Sequence, residues 1–339
     1  MAQPLPVRRI GSLAVSAIGL GCMNLSHAYG APPPEAEGAA LLNRALDLGV
    51  TFLDTAAIYG AGSNERLLAK AVMHRRAGFT LASKCVMDVV DGRRTLDGSP
   101  EAITRTLEGG LQRLGTDHID LYYLHRLDRR VPIEDSVGAL ASAVEAGKIG
   151  AIGLSEMGAA TIARAHAVHP VTAVQSEYSP MVRNPEVAVL ETCRRLGIGF
   201  VAFSPVARGM LAGAVRDENF AERDLRRTMP RFNGDRLRHN LATVDRFDAL
   251  AKDAGLTPAQ LSLAWVLAQG EHIVPIPGTT SIAHLEEDVA AASVSAPADL
   301  IAAVDALFVP GAIQGARYSA EAQRSVDTEI LAGEELEPA

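Results

Sequence analysis

Short apolar runs alternate with longer amphipathic stretches along nearly the whole chain, and this rhythm constrains the fold more than any other feature. The runs fall at 18–20, 51–53, 79–82, 119–124, 149–154, 173–176, 198–203 and 272–276. Between them, 33–48 brings Ala39, Leu42, Ala45 and Leu46 to one helical face, and 99–114 opens on Ser99-Pro100-Glu101 and aligns Ile103, Leu107 and Leu111. The stretches 132–146, 159–168, 185–196 and 281–292 behave in the same way. Several begin with Pro or Ser and end on pairs such as Leu48-Gly49 and Ala146-Gly147, which are start and stop signals for helices. Strands that alternate with helices pair in parallel, because each return crossing needs a helix. Eight such units predict a closed (β/α)8 TIM barrel rather than an open doubly wound sheet. A division into two smaller domains near Pro170 or Pro180 would need a linker, but the alternation runs straight through both. The expectation is one domain over all 339 residues.

Two segments break the rhythm. Residues 7–15, with a turn at Gly11-Ser12, read as an N-terminal β-hairpin (within 1–16) that plugs one barrel end. Residues 208–240 are long, charged and glycine-punctuated, which fits a functional lid or a disordered loop, with 218–238 as its solvated, Arg- and Asp-rich part. A C-terminal extension follows the last helix, and its acidic, proline-ended tail at 331–339 is expected to fray. Hydrophobic residues make up 48% and aromatics only 4%, so aliphatic side chains must fill the core. The net charge of −8 gives no field for holding a nucleic-acid backbone. Cys22, Cys85 and Cys193 lack metal-ligand or disulfide spacing, as suits a reducing compartment. The first residues carry no apolar signal region, and no stretch has the roughly 20 uncharged apolar residues of a membrane span, so a soluble, cytoplasmic protein is expected. His166 and His169 stand three apart without a third ligand, and no metal site is expected. Oligomeric state is not legible.

In a barrel of this kind the chemistry gathers where strands end and the following loops begin. Asp54, Thr55 and, a little further on, Tyr59 follow the second run; Lys84 follows the third and His125 the fourth. Taken singly, Asp54 could cap the next helix, Lys84 could be a solvated side chain and His125 a structural hydrogen-bonder. Together they make chemical sense. Reducing a carbonyl by hydride transfer requires a proton for the developing alkoxide, and a free tyrosine, with a pKa near 10, releases one reluctantly. A neighbouring ammonium would make that phenol more acidic, an acid would hold the ammonium charged, and an imidazole would orient the carbonyl oxygen.

The segment from Phe52 to Gly60, Phe-Leu-Asp-Thr-Ala-Ala-Ile-Tyr-Gly, resembles the signature of the aldo-keto reductases. Leu81-Ala82-Ser83-Lys84 and the run from Ile119 to His125 are similar to that family's lysine and histidine strands, and the blocks 150–155, 175–179 and 202–205 follow in the family's order. The resemblance extends from Arg9 to about Tyr318. It implies that Tyr59 is the general acid/base, supported by Asp54, Lys84 and His125. It also implies that NADP(H) or NAD(H) binds extended, without a glycine-rich Rossmann fingerprint. Phe203 would then stack on the nicotinamide, Ser155 and Gln175 would bind its carboxamide, and Ser204, Pro205, Val206 and Leu211 would line the pyrophosphate path. Gly278, Thr279, Thr280 and Ser281 would take the adenosine phosphate end at a helix start, with His284, Glu287 and Asp288 as adenosine contacts. Gly21, Asp54 and Ile276 complete the implied set. Cys22 and Met23 would offer backbone to cofactor or substrate, with core packing as an equal alternative.

Two departures from the family pattern matter. Glu156 occupies an implied cofactor-contact position where the family usually has asparagine after Ser155, so an amide donor to the carboxamide is missing. Thr280 and Ser281 replace a basic pair common in members that prefer NADPH; a lost charge-assisted hydrogen bond there is worth roughly 1.5–3 kcal/mol, or about ten- to a hundred-fold in affinity. The resemblance favours NADPH, and use of NADH or of both stays open. The expected substrate is a small to medium aldehyde, ketone or alcohol, in a pocket shaped by the loops around 24–30, 87–97, 126–130, 208–230 and 311–318. A nicotinamide-binding redox sensor with little turnover and an aldolase working through a Lys84 Schiff base are the competing readings, and Asp54 argues against the second by keeping Lys84 protonated.

Overall fold

The computed structural model describes residues 5–90, 93–334 and 336. The chain opens with an antiparallel hairpin, β1 (Val7–Ile10) and β2 (Leu13–Ser16), turning at Gly11, as the sequence predicts. Then follow β3 (Leu20–Gly21), α1 (Glu35–Asp47), β4 (Phe52–Asp54), α2 (Ser63–Val72) and β5 (Thr80–Cys85). A second hairpin, β6 (Met87–Val90) and β7 (Arg93–Leu96), leads to α3 (Pro100–Leu114), β8 (Leu121–Leu124), α4 (Ile133–Glu145), β9 (Ile152–Ser155), α5 (Ala159–Val168) and β10 (Val171–Glu177). The order is completed by α6 (Val189–Leu196), β11 (Gly199–Phe203), α7 (Gly234–Asp253), α8 (Pro258–Ala268), β12 (Ile273–Ile276), α9 (Ile282–Ala290), α10 (Ala298–Leu307) and α11 (Ala320–Gln323).

The eight strands β3, β4, β5, β8, β9, β10, β11 and β12 form one sheet with parallel neighbours. Its two edges meet: the N–H groups of Gly19 and Gly21 donate to the carbonyls of Pro275 and Pro277, each at 3.0 Å. A Cβ on Gly21 would stand 2.9 Å from the Ile276 carbonyl, so only glycine lets the seam close this tightly. The result is the (β/α)8 barrel expected from the alternation. Helix ends follow the local signals: Ser99 caps α3, Thr257 and Gln260 form a capping box on α8, and Gly49 and Gly147 turn the chain beyond α1 and α4 with positive φ.

The hairpin does plug the barrel floor. Ile10 and Val15 are buried with Phe52, Leu121, Tyr123, Val201 and Val274 in the interior cluster. A Cβ on Gly199 would lie 2.4 Å from the Ile10 Cα, which explains the glycine at that strand start. The Arg8 guanidinium ties the hairpin to the carbonyls of Leu267, Gly270 and Ile273 at 2.7–2.8 Å.

Three expectations need correction. The long loop ends earlier than 240, because α7 begins at Gly234, and its remainder folds into short 3-10 turns. The segment between β5 and α3 is a hairpin rather than a plain loop. The C-terminal tail is tied down in its first residues, where Glu334 accepts from the Leu331 N–H at 3.1 Å and from the Asn184 amide at 2.5 Å; positions 335 and 337–339 lie outside the described residues.

Candidate active site

Along a strand, alternate side chains face the barrel interior. Phe52 and Ala82 belong to the interior cluster, so Asp54 and Lys84, two residues further, face inward at the carboxyl ends of β4 and β5. The same step leads from Tyr123 to His125, from Ala173 to Gln175, from Val201 to Phe203 and from Val274 to Ile276. Tyr59 arrives by another route. It opens a tight turn, Tyr59–Gly62, in which Gly60, Ala61 and Gly62 all take positive φ, and a Cβ on Gly60 would strike the Ser63 hydroxyl at 2.1 Å. That turn folds the Tyr59 ring back toward the barrel mouth.

All four catalytic candidates converge. The buried Lys84 ammonium donates to Asp54 Oδ1, to the Thr55 carbonyl at 2.8 Å and to the Tyr59 hydroxyl at 3.3 Å, which uses its three N–H bonds. Gln175 Nε2 donates to the other oxygen of Asp54 at 2.7 Å, so Asp54 orients Lys84 and caps no helix. The Tyr59 ring meets His125 edge-on at 5.8 Å between centroids and the His27 ring at 5.4 Å.

Burial works against the Lys84 charge, but the Asp54 carboxylate and Tyr59 hydroxyl hold its ammonium above the ordinary lysine value. Burial likewise lifts the Asp54 carboxyl, opposed by the Lys84 charge and the bonds from Lys84 and Gln175. The sequence expectation for Tyr59 is met only in part. Lys84 does pull its phenol toward acidity, but burial outweighs that pull, and the phenol titrates above its usual value. His125 is held neutral, well below the ordinary imidazole value, by burial and then by the charges of Lys84, Arg126 and Arg94. His27 is pushed down to about 4 by burial and by Arg94.

A cleft of about 1080 Å³ runs across the mouth, at the upper end of the roughly 300–1,000 Å³ usual for ligand sites. Its walls include Asp54, Tyr59 and His125, and of the expected cofactor set Gly21, Met23, Ser155, Gln175, Phe203, Ser204, Pro205, Val206, Ile276, Gly278, Thr279, Thr280, His284, Glu287 and Asp288. The 207–232 segment closes over it as a lid: Leu225 N–H donates to the Ala28 carbonyl at 2.9 Å, Tyr29 bridges Asp224, and Arg226 ties back to the Arg208 carbonyl at 3.1 Å. A partly exposed aromatic face at Phe203, the Ser155 hydroxyl on the wall and a helix start beside Gly278 suit an extended nicotinamide dinucleotide, and the cleft has room for one.

Four expected contacts lie off this wall. Cys22 is buried, its N–H bonded to the Asp54 carbonyl and its own carbonyl to Asn64, so core structure explains it. Leu211 is fully buried within the first turn of the lid, and Ser281 turns its hydroxyl to the His284 N–H as the cap of α9. Glu156 faces a buried network, bonded by Arg317 at 3.1 Å, Thr328 at 3.0 Å and the Glu177 N–H at 2.8 Å. Burial opposes its charge, yet the charges of Arg317 and Arg126 and the bonds from the Glu177 N–H and Arg317 hold the carboxyl below its ordinary value. It braces the rim rather than reaching the cleft. Gln175 stays on the wall, but its amide donor is engaged by Asp54.

Several groups had no assigned role in the sequence reading, although His27 and Arg126 lie in loops expected to shape the pocket and do line it. His27 packs on Tyr59, and the fully buried Asn64 ties the Cys22 carbonyl and Thr55 hydroxyl together behind it. Arg126 follows His125 directly and lines the cleft; its position beside a strand-end histidine was a usable signal. The Glu156–Arg317 and Glu177–Arg208 pairs join distant segments and leave no local trace.

The Aldo/keto reductase family model matches residues 17–308. A probable aldo-keto reductase from Glycine max is 43% identical over 324 residues, spanning 93% of this chain and 92% of its own. Among solved structures, the glycerol dehydrogenase of Gluconobacter oxydans aligns with a TM-score of 0.82 at 25% identity, over 96% of this chain and 97% of that one. An aldo-keto reductase from Bacillus halodurans in its holo form aligns with a TM-score of 0.74 at 26% identity, over 90% and 97%.

Proposed function

The chain belongs to the aldo/keto reductase family, and on that footing we propose that it interconverts aldehydes or ketones with alcohols, using Tyr59 as the proton donor and acceptor. The observation that carries this reading is the Lys84 ammonium 3.3 Å from the Tyr59 hydroxyl at the mouth of the cleft. A nicotinamide dinucleotide bound along the cleft, held by Ser155, Phe203 and the turn at Gly278–Thr280, would supply the hydride. NADP(H) is the first cofactor in this reading. NAD(H) is the second, because neither Thr280 nor Ser281 offers a cation to a 2′-phosphate.

The residues divide the remaining work. A phenol that titrates above its usual value keeps its proton at neutral pH, so Tyr59 is loaded to give it to a carbonyl oxygen as negative charge develops there. Lys84 stabilises the phenolate left behind, and Asp54 and the Thr55 carbonyl fix Lys84 in place. In the reverse direction the same phenolate takes the alcohol proton. His125, neutral and beside Tyr59, donates a hydrogen bond to the carbonyl oxygen without exchanging its own proton. Lys84 spends every N–H bond and stays charged, which leaves no lone pair for a Schiff base and disfavours the aldolase reading.

The test is fluorescence titration with NADPH and NADH, followed by cofactor oxidation against a panel of aldehydes and ketones. Cofactor consumption that depends on a carbonyl compound is expected. Tight binding with no turnover across the panel would instead favour a redox-sensing subunit.

A further inference from the structure

Around Tyr59, one group takes no part in the Lys84–Asp54 relay yet faces the same cleft. The Arg126 guanidinium is anchored through Nη1, which donates to the His125 carbonyl at 2.7 Å and reaches the Ser155 hydroxyl at 3.4 Å. Among the described residues its Nε is buried without a hydrogen-bond partner, and no ion pair or hydrogen bond to a carboxylate engages it. Glu156, which feels the Arg126 charge, is already bonded by Arg317 and Thr328. A second guanidinium, Arg94 on β7, lines the same cleft, and no carboxylate among the described residues pairs with it. Both charges depress the His125 imidazole, which places them around the carbonyl-binding end.

A buried N–H donor without a partner is costly, and among the described residues Arg126 Nε is such a donor at the wall of the cleft. With Nη1 held by the His125 carbonyl, a small rotation of the guanidinium would bring Nε and Nη2 together to the cleft as two parallel donors, the fork that matches the two oxygens of a carboxylate. We propose that the site takes carbonyl substrates bearing a carboxylate, gripped by the Nε–Nη2 edge of Arg126 and drawn in by Arg94. This rests on the carbonyl-reducing reading above and names its substrate class. Arg126 is then a specificity-determining residue: it binds the anionic end while Tyr59 and His125 hold the carbonyl.

The test compares kcat/KM for 4-carboxybenzaldehyde and its methyl ester in the native enzyme, Arg126→Met and Arg126→Lys. The native enzyme is expected to favour the carboxylate by about tenfold or more, Arg126→Met to collapse the ratio toward one, and Arg126→Lys to recover part of it. Because the readout is a ratio, a general loss of activity cancels. Benzoate is expected to inhibit the native enzyme where benzamide does not, a reading independent of how the variants fold. A native ratio near one, a ratio unmoved in Arg126→Met, or benzamide inhibiting as well as benzoate would overturn the proposal alone. Turnover of neither aldehyde by the native enzyme would overturn the carbonyl-reducing reading and this one with it.

Discussion

At the floor of the barrel, inward positions of the strands meet Ile10 and Val15 of the hairpin and are sealed dry; at the mouth, the inward positions carry Asp54, Lys84, His125 and Gln175 and open on the cleft. The same strands and the same two-residue period build both ends. Only the chemical class of the inward residue changes, from Phe52 to Asp54 and from Ala82 to Lys84 within one step. The floor can therefore be altered at a cost in stability with little effect on chemistry, whereas the mouth stores polar groups whose removal costs turnover first. Two buried charges at the mouth are tolerated because they are bonded: Lys84 to three acceptors, Glu156 to Arg317 and Thr328.

Removing Lys84 should break the comparison most severely. Lys84→Met strips the phenolate of its counter-charge and is expected to lower kcat by about 10²–10⁴. It also leaves Asp54 buried and unpaired, a loss of roughly 3–5 kcal/mol in stability; steady-state kinetics and denaturant unfolding read the two effects. At the floor, Ile10→Ala should cost about 2–5 kcal/mol by emptying the interior cluster, while kcat stays within about twofold of native. A large loss of kcat there would erase the distinction between the ends. At the adenosine end of the cleft, Thr280→Arg is expected to tighten NADPH about ten- to a hundred-fold and leave NADH nearly unchanged, as measured by fluorescence titration.

A smaller effect follows from the imidazoles at the mouth. His27 and His125 both titrate below their ordinary value in the folded chain, so the unfolded chain binds more protons as the pH falls below about 6.5. Their contribution to stability is complete above that pH and is lost on acidification, until His27 itself takes a proton near 4. Unfolding free energies at pH 7 and pH 5 should differ by about 1–2 kcal/mol on account of His27 alone, and His27→Asn should remove that share while leaving the part due to His125.

The barrel was legible because strand and helix periods differ, and each strand run ended on a residue whose chemistry stood out against an apolar background. Helices without that contrast were missed. In α7 the buried Leu237, Val244, Phe247 and Ala251 keep helical spacing, but charges crowd its start and hid residues 234–240 inside an expected loop. In α8 nearly every residue is buried, from Ala259 to Leu267, so there is no polar face to give a period. The site shows the same divide. Asp54, Lys84 and His125 follow from strand position, whereas His27 reaches Tyr59 only through the path of a loop, and Glu156 meets Arg317 from 161 residues away. Family resemblance placed Glu156 on the carboxamide; the fold turned it into the rim's buried charge network.

Everything at the mouth depends on the Tyr59 hydroxyl as the group that exchanges the proton. The direct test is the turnover rate of Tyr59→Phe with a reactive aldehyde, measured on protein shown by titration to bind cofactor as the native chain does. The account expects a fall of at least about a hundredfold in kcat. Turnover within a few-fold of native would mean that another group supplies the proton.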